Sequence, residues 1–365
     1  MARVIVRILH VEPAPTAGPL ERLLAAARRT VSERHLAGFA DAGADDVRLV
    51  SGPPDDTPFG GRLRAILAEA AGADDASGPV GLIVLGSGSL PMASRADRRA
   101  FVEAAGATER SALANNRYSA DVIAIARAEE LPTVPDLPGD NALPRWLEER
   151  AGWSVADVRR RWRLQVDLDS PLDVELASPG SLPLGVGDTI RDRLDSVRRI
   201  AAERRAELLV AGRTSAATLG WLERSTASRV RALVEERGLR ASARLALADG
   251  PDARPQRPPR SVLGALLDRD GPEALGARLA ELGDAALVDS RVLLAHRLEA
   301  DESAWPSPED RFASDLLAPE RVHDPWLGAL TRSAVEAPIP ILLGGHTLVG
   351  PGIRLALGPR QRVVS

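Results

Sequence analysis

The stretch Val80-Gly81-Leu82-Ile83-Val84-Leu85-Gly86-Ser87-Gly88-Ser89-Leu90-Pro91 decides how this chain folds. Five of its first six residues are Val, Leu or Ile, the pattern of a strand buried on both faces. The run ends in small residues, and a helix-like segment, Ala96 to Ala105, follows. A buried strand that turns through Gly and Ser into a helix is the unit of an α/β domain with a parallel sheet.

Working outward, Val4 to Leu9 and Val47 to Val50 read as strands, the latter ended by Gly52-Pro53-Pro54. Between them Leu23, Leu24, Ala27, Val31 and Leu36 recur at helical spacing. Leu63 to Ala71 reads as a helix and Val122 to Ala126 as a strand. Further on, the spacing predicts helices over Leu143 to Ala151 and Val155 to Trp162, and a strand over Leu164 to Leu168. In the second half, helices are expected over Ile190 to Arg205 and Ala216 to Arg237. Strands are expected over Leu208 to Ala211, Ala285 to Val288, Ile339 to Leu343 and Ile353 to Leu357. The expected class is α/β, a mostly parallel, Rossmann-like sheet sandwiched by helices, with a second α/β half. The expected domains are 1–178 and 179–365, the second carrying an exposed Pro-rich loop over 249–259.

The chain has 365 residues, no lysine and no cysteine; all 47 basic residues are arginine against 51 acidic ones, a net charge of −4. Lysine Schiff-base chemistry, the P-loop and the protein-kinase strand lysine are therefore excluded, as are thiol nucleophiles, disulfides and Cys-ligated metals. The arginine bias fits a GC-rich genome, and scarce Asn, Gln and Met fit a thermophile. The acidic balance argues against nucleic acid as a partner. No apolar run has the length of a membrane span, so no membrane is expected and the location expected is cytoplasmic.

Three strand ends share one device: Leu85-Gly86-Ser87, Ala211-Gly212-Arg213-Thr214-Ser215 and Gly344-Gly345-His346-Thr347. Gly86, Ser87, Gly88 and Ser89 leave backbone N–H groups available beside a helix start, which suits a phosphate or carboxylate; a tight turn with a helix cap is the other reading. Arg213, Thr214 and Ser215 repeat the logic with an added cation, or else form a cap beside a solvated arginine. His346 is either a general base or ligand contact, or a turn residue. Asp167 and Asp169, on one face of the expected strand, would repel unless a divalent cation sits beside them. The alternative is a turn in which Asp169 or Ser170 caps the next helix and Asp167 meets an arginine. Trp146, Trp153 and Trp162 read as core residues with nearby arginines rather than a stacking platform.

Asp167-Leu168-Asp169-Ser170-Pro171-Leu172-Asp173-Val174 resembles the Asp-x-Asp-Thr-Pro-x-Asp-Leu segment of small GT-A-type nucleotidyltransferases, the molybdenum-cofactor and phospholactate guanylyltransferases and their relatives. Ser89-Leu90-Pro91 matches their Asp-x-Pro, and Asn115-Asn116-Arg117 stands where they carry an Asn-bearing loop. The resemblance covers about residues 1–178. It implies a nucleotide-diphospho-sugar transferase fold that binds a nucleotide or another phosphorylated small molecule. It also implies Mg²⁺ on Asp167 and Asp169, and nucleotidyl or glycosyl transfer. Ser89 stands where the family has a metal-binding aspartate, and His10 to Pro19, in place of its Gly-rich basic loop, holds no Arg or Lys. These departures carry the alternative of a non-catalytic relative, its second half a partner surface or homodimer interface. A third reading places a separate site around Arg213, Asp289 and His346, and requires those loops to meet.

Overall fold

The computed structural model describes residues 2–71, 78–137, 139–236, 258–299 and 301–358. Contacts divide the chain into two compact units, residues 1–16 with 25–167, and 17–24 with 168–365. The division falls earlier than the expected 178/179, and the start of the first helix groups with the second unit.

The first unit is a six-stranded sheet in the order β2-β1-β3-β5-β4-β6. Its strands are β1 (Arg3–Val11), β2 (Asp46–Gly52), β3 (Val80–Gly86), β4 (Ser111–Ala114), β5 (Val122–Ile125) and β6 (Ser154–Asp157). The β1, β2 and β3 strands run parallel, and β5 runs antiparallel to β3 and β4. The central strands are buried on both faces, as their unbroken apolar runs require. Helices α1 (Pro19–Ala40), α2 (Phe59–Ala71) and α3 (Arg95–Ala105) connect the strands. Val6, Ile8, Ile83 and Leu85 share a core with Phe39 and Phe101. Gly81 admits the end of α3 onto β3: a Cβ there would meet the Ala105 carbonyl oxygen at 2.3 Å. Arg7 is buried within β1, where its Nη2 donates to Asp46 on β2 at 2.9 Å and to Glu69 on α2 at 3.3 Å.

The second unit holds a four-stranded, all-parallel sheet in the order β10-β9-β7-β8: β7 (Glu207–Gly212), β8 (Arg229–Val234), β9 (Ala285–Asp289) and β10 (Ile341–Gly344). The short α4 (Leu143–Trp146) belongs to the first unit. Helices around the second sheet include α5 (Pro171–Ala177), α6 (Asp188–Ala201), α7 (Ala216–Ser225) and, further on, Ser290–Leu298 and Pro308–Asp315. The α/β class is thus observed in both halves.

Several expected elements take another form. Val155 to Trp162 is not helical: it contains the edge strand β6, and only Val155 of that strand is buried. Leu164 to Leu168 is not a strand. Residues 162–165 form a 3₁₀ turn, followed by one isolated bridge between Ser89 and Asp167. Ile353–Leu357 is a helix rather than a closing strand, and of the stretch Ala216 to Arg237, expected as one or two helices, only Ala216–Ser225 is helical before β8. Residues 249–257 of the Pro-rich loop lie outside the described residues. Among the described residues no helix is long and apolar enough to cross a membrane.

Candidate functional site

In the first sheet the chain leaves β1 toward β2 on one side and returns to β3 on the other. Connections that depart in opposite directions from neighbouring parallel strands leave a crevice at their carboxyl ends, the usual ligand position in open α/β sheets. A cavity of about 240 Å³ occupies that place. Leu9 and Val11 of β1, the Gly86–Ser89 loop after β3, Phe59, Arg28, Asp121, Asp140 and Asp167 all line it.

The loop is held from several directions. The Ser87 N–H donates to Leu9 O at 2.8 Å and the Ser89 N–H to Gly86 O at 3.1 Å. His35 Nε2 donates to Ser89 O at 2.9 Å, while its Nδ1 accepts from Arg98 Nε at 3.3 Å. Burial pushes the His35 imidazole down to about 4, against the opposing Ser89 bond, so it is neutral near pH 7. His35 is fully buried. Leu90, next in the chain, has φ +52°, a left-handed backbone rare outside glycine and costing about 1–2 kcal/mol. Behind the loop, His10 Nδ1 lies 3.0 Å from Ser87 Oγ.

Of the residues expected to form the site, Gly86, Ser87, Gly88, Ser89 and Asp167 meet around this cavity. Asp169 is exposed, does not line it, and groups with the second unit. Residues 164–168 are not a paired strand, so Asp167 and Asp169 do not share a strand face. Asn115, Asn116 and Arg117 do not line the cavity either. Asn115 is fully buried and staples its loop. Its Nδ2 donates to Asp121 at 2.7 Å and to Leu164 O at 3.0 Å, and its Oδ1 accepts from the Asp121 N–H. Asn116 accepts from the Tyr118 N–H, and Arg117 pairs with Glu148. Ser170 caps α5 in a capping box with Asp173, so of the two caps in the alternative reading, Asp169 and Ser170, it is Ser170 that serves. Trp146 and Trp153 are buried, and Trp153 Nε1 donates to Ala126 O at 2.8 Å.

His10, Arg28, Phe59, Asp121 and Asp140 were not singled out as site residues. For His10 the signal was present: it is the last buried residue of the first strand, where a parallel sheet presents side chains to ligands. The others come from loops and helices whose convergence depends on strand order.

In the second unit the three suspected loops do meet. Arg213, after β7, donates to Asp289 at the end of β9 through Nε at 2.6 Å and Nη2 at 3.1 Å. Burial would push the Asp289 carboxyl up, but Arg213, with His346 and Arg291, holds it below the usual carboxylate range. Gly212 has φ +130°, and a Cβ there would lie 2.2 Å from the Asp289 Cβ, so only glycine permits this approach. Beside it, Arg291 grips Asp315 through two 2.6 Å bonds, both residues buried. Ser215 caps α7, the Thr214 hydroxyl is buried with no partner among the described residues, and His346 is exposed. No protein-family model matches the chain, and a comparison with curated proteins gives no match.

Proposed function

We propose that the first unit is a nucleotidyltransferase-like domain that binds a nucleotide or another phosphorylated small molecule in the cavity between β1 and β3, for nucleotidyl or glycosyl transfer. The observation that carries this reading is the position of the cavity at the switch in strand order, walled by the Gly86–Ser89 loop. Its charge refines it. Three carboxylates, Asp121, Asp140 and Asp167, line the cavity against the single guanidinium of Arg28. Carboxylates beside phosphates oppose binding unless a cation sits between them, so in this reading the ligand enters as a cation complex. Among the described residues no group of three or more His, Asp or Glu side chains is placed to hold a metal. Mg²⁺ would therefore arrive with the phosphates, held by Asp167 and phosphate oxygens, and would neutralise their charge.

The test is calorimetric titration with GTP, CTP and UDP-sugars, with and without Mg²⁺. Binding is expected only with the metal, weakened at least about tenfold by Asp167→Asn. No heat with any ligand on the folded protein, or equal binding in the presence of a chelator, overturns the reading. Binding without release of pyrophosphate or transfer of sugar keeps the binding domain and removes the transferase.

A further inference from the structure

Ser87 and His10 form a pair that ligand binding alone does not require. Both are buried, and Ser87 Oγ lies 3.0 Å from His10 Nδ1. Ser87 is among the residues that line the cavity, and His10, the partner of its hydroxyl, is not. Gly86 and Gly88 flank the serine and leave room for close approach. Burial, then the charges of Arg29 and Arg28 on α1, lower the His10 pKa, with Glu12 opposing. A neutral imidazole whose hydrogen is on Nε2 can accept the serine proton on Nδ1. A merely structural bond would satisfy a buried histidine equally well. It would not call for the serine to belong to a cavity-lining loop that is fixed through Leu9 O, Gly86 O and His35 and followed by a left-handed leucine.

We propose that Ser87 is a nucleophile with His10 as its base, and that phosphorus-group transfer in this cavity passes through a covalent ester on Ser87. Ser87 Oγ bonds to phosphorus as its proton passes to His10 Nδ1, and the bond from phosphorus to the leaving oxygen breaks with its electron pair, that oxygen taking a proton from water. An acceptor hydroxyl or water then takes the phosphorus group and gives its proton to water. The Oγ–P bond breaks, and His10 returns the proton to Ser87. The substrate class rests on the phosphorylated-ligand reading; the nucleophile–base pair does not.

Diisopropyl fluorophosphate tests the pair directly, being an uncharged phosphorus electrophile that needs neither nucleotide recognition nor metal. On the full chain, intact mass and peptide mapping should show one adduct, on Ser87, absent from Ser87→Ala. His10→Asn should slow labelling by about 100-fold or more, and the wild-type rate should fall as acid protonates His10. Circular dichroism melting checks that His10→Asn is folded; should it melt early, the wild-type adduct and its pH profile decide. No adduct on Ser87 of folded wild-type protein, or a pH-independent rate, overturns the proposal. Nucleotide titration run alongside separates the two readings. An adduct without nucleotide binding keeps the pair and removes the substrate class, and binding without an adduct does the reverse.

Discussion

Asp173 is the third helical residue of α5, wholly buried, and its Oδ2 accepts from the N–H of Asp169 at 3.0 Å, the N–H of Ser170 at 2.8 Å and the Ser170 hydroxyl at 2.9 Å. Its Oδ1 has no partner among the described residues. Burial, then the charges of Asp169 and Asp315, push the carboxyl up to about 8, with Ser170 and Arg291 opposing. An unfolded aspartate titrates near 3.9. Between about pH 4 and 8 the folded state therefore keeps a proton that the unfolded state has lost, and stability falls as pH rises through that window. Asp173→Asn keeps the shape and an acceptor while removing the ionisation. Urea unfolding across this window should show the variant gaining on the wild type as pH rises; parallel curves would mean that Asp173 is not protonated in the folded protein. At this scale the sequence was partly legible. Ser-Pro-Leu-Asp announces a cap, and Asp289-Ser290 another, because capping is local chemistry. The Arg213–Asp289 pair was only suspected, since its partners lie 76 residues apart and meet only when β7 and β9 pair.

At the scale of elements, local signals succeeded where an element's own residues decide its form. Ser94 and Asp97 close a complete capping box on α3, the helix that packs behind the Gly86–Ser89 loop's strand. The Ser94 oxygen accepts from the Asp97 N–H at 3.2 Å, and Asp97 accepts from the Ser94 N–H at 3.0 Å. Ser94→Ala should cost about 1 kcal/mol in chemical denaturation and leave the urea slope unchanged; a neutral result would show that Asp97, held also by Arg161 at 2.8 Å, carries the cap alone. Failures came where pairing decides. Leu164, Val166 and Leu168 are buried while Gln165 and Asp167 are not, so the alternation is real, yet one bridge to Ser89 is all the ladder the segment makes. Alternation reports which side chains face inward and does not supply a neighbouring strand. In Ile353–Leu357 a short apolar run fits helix and strand equally, and tertiary packing chose helix.

For the whole molecule, both sheets place their first strand between its successors: β1 between β2 and β3, and β7 between β8 and β9. The three Gly-x-Ser/Thr-type strand ends noted in the sequence fall at the carboxyl ends of β3, β7 and β10, each of which runs parallel to a neighbouring strand. The device was legible; its distribution over two sheets was not, because strand order is a property of long-range pairing. A lysine-free chain must meet any anion with arginine. Arg213 is held by Asp289 in a buried two-point grip at the end of β7, and Arg28 lines the first unit's cavity. Phosphorylated ligands should bind in the first unit, where the cavity lies at the switch in strand order. Calorimetry with a nucleotide and Mg²⁺ is expected to give one site per chain. Arg28→Ala should weaken it at least about tenfold, since a charge-assisted contact is worth about 1.5–3 kcal/mol. His346→Ala, a change at an exposed position of the second unit, should leave the affinity unaltered. Loss of binding in His346→Ala with none in Arg28→Ala would move the site to the carboxyl ends of the second sheet, where Arg213 would have to release Asp289 to serve it.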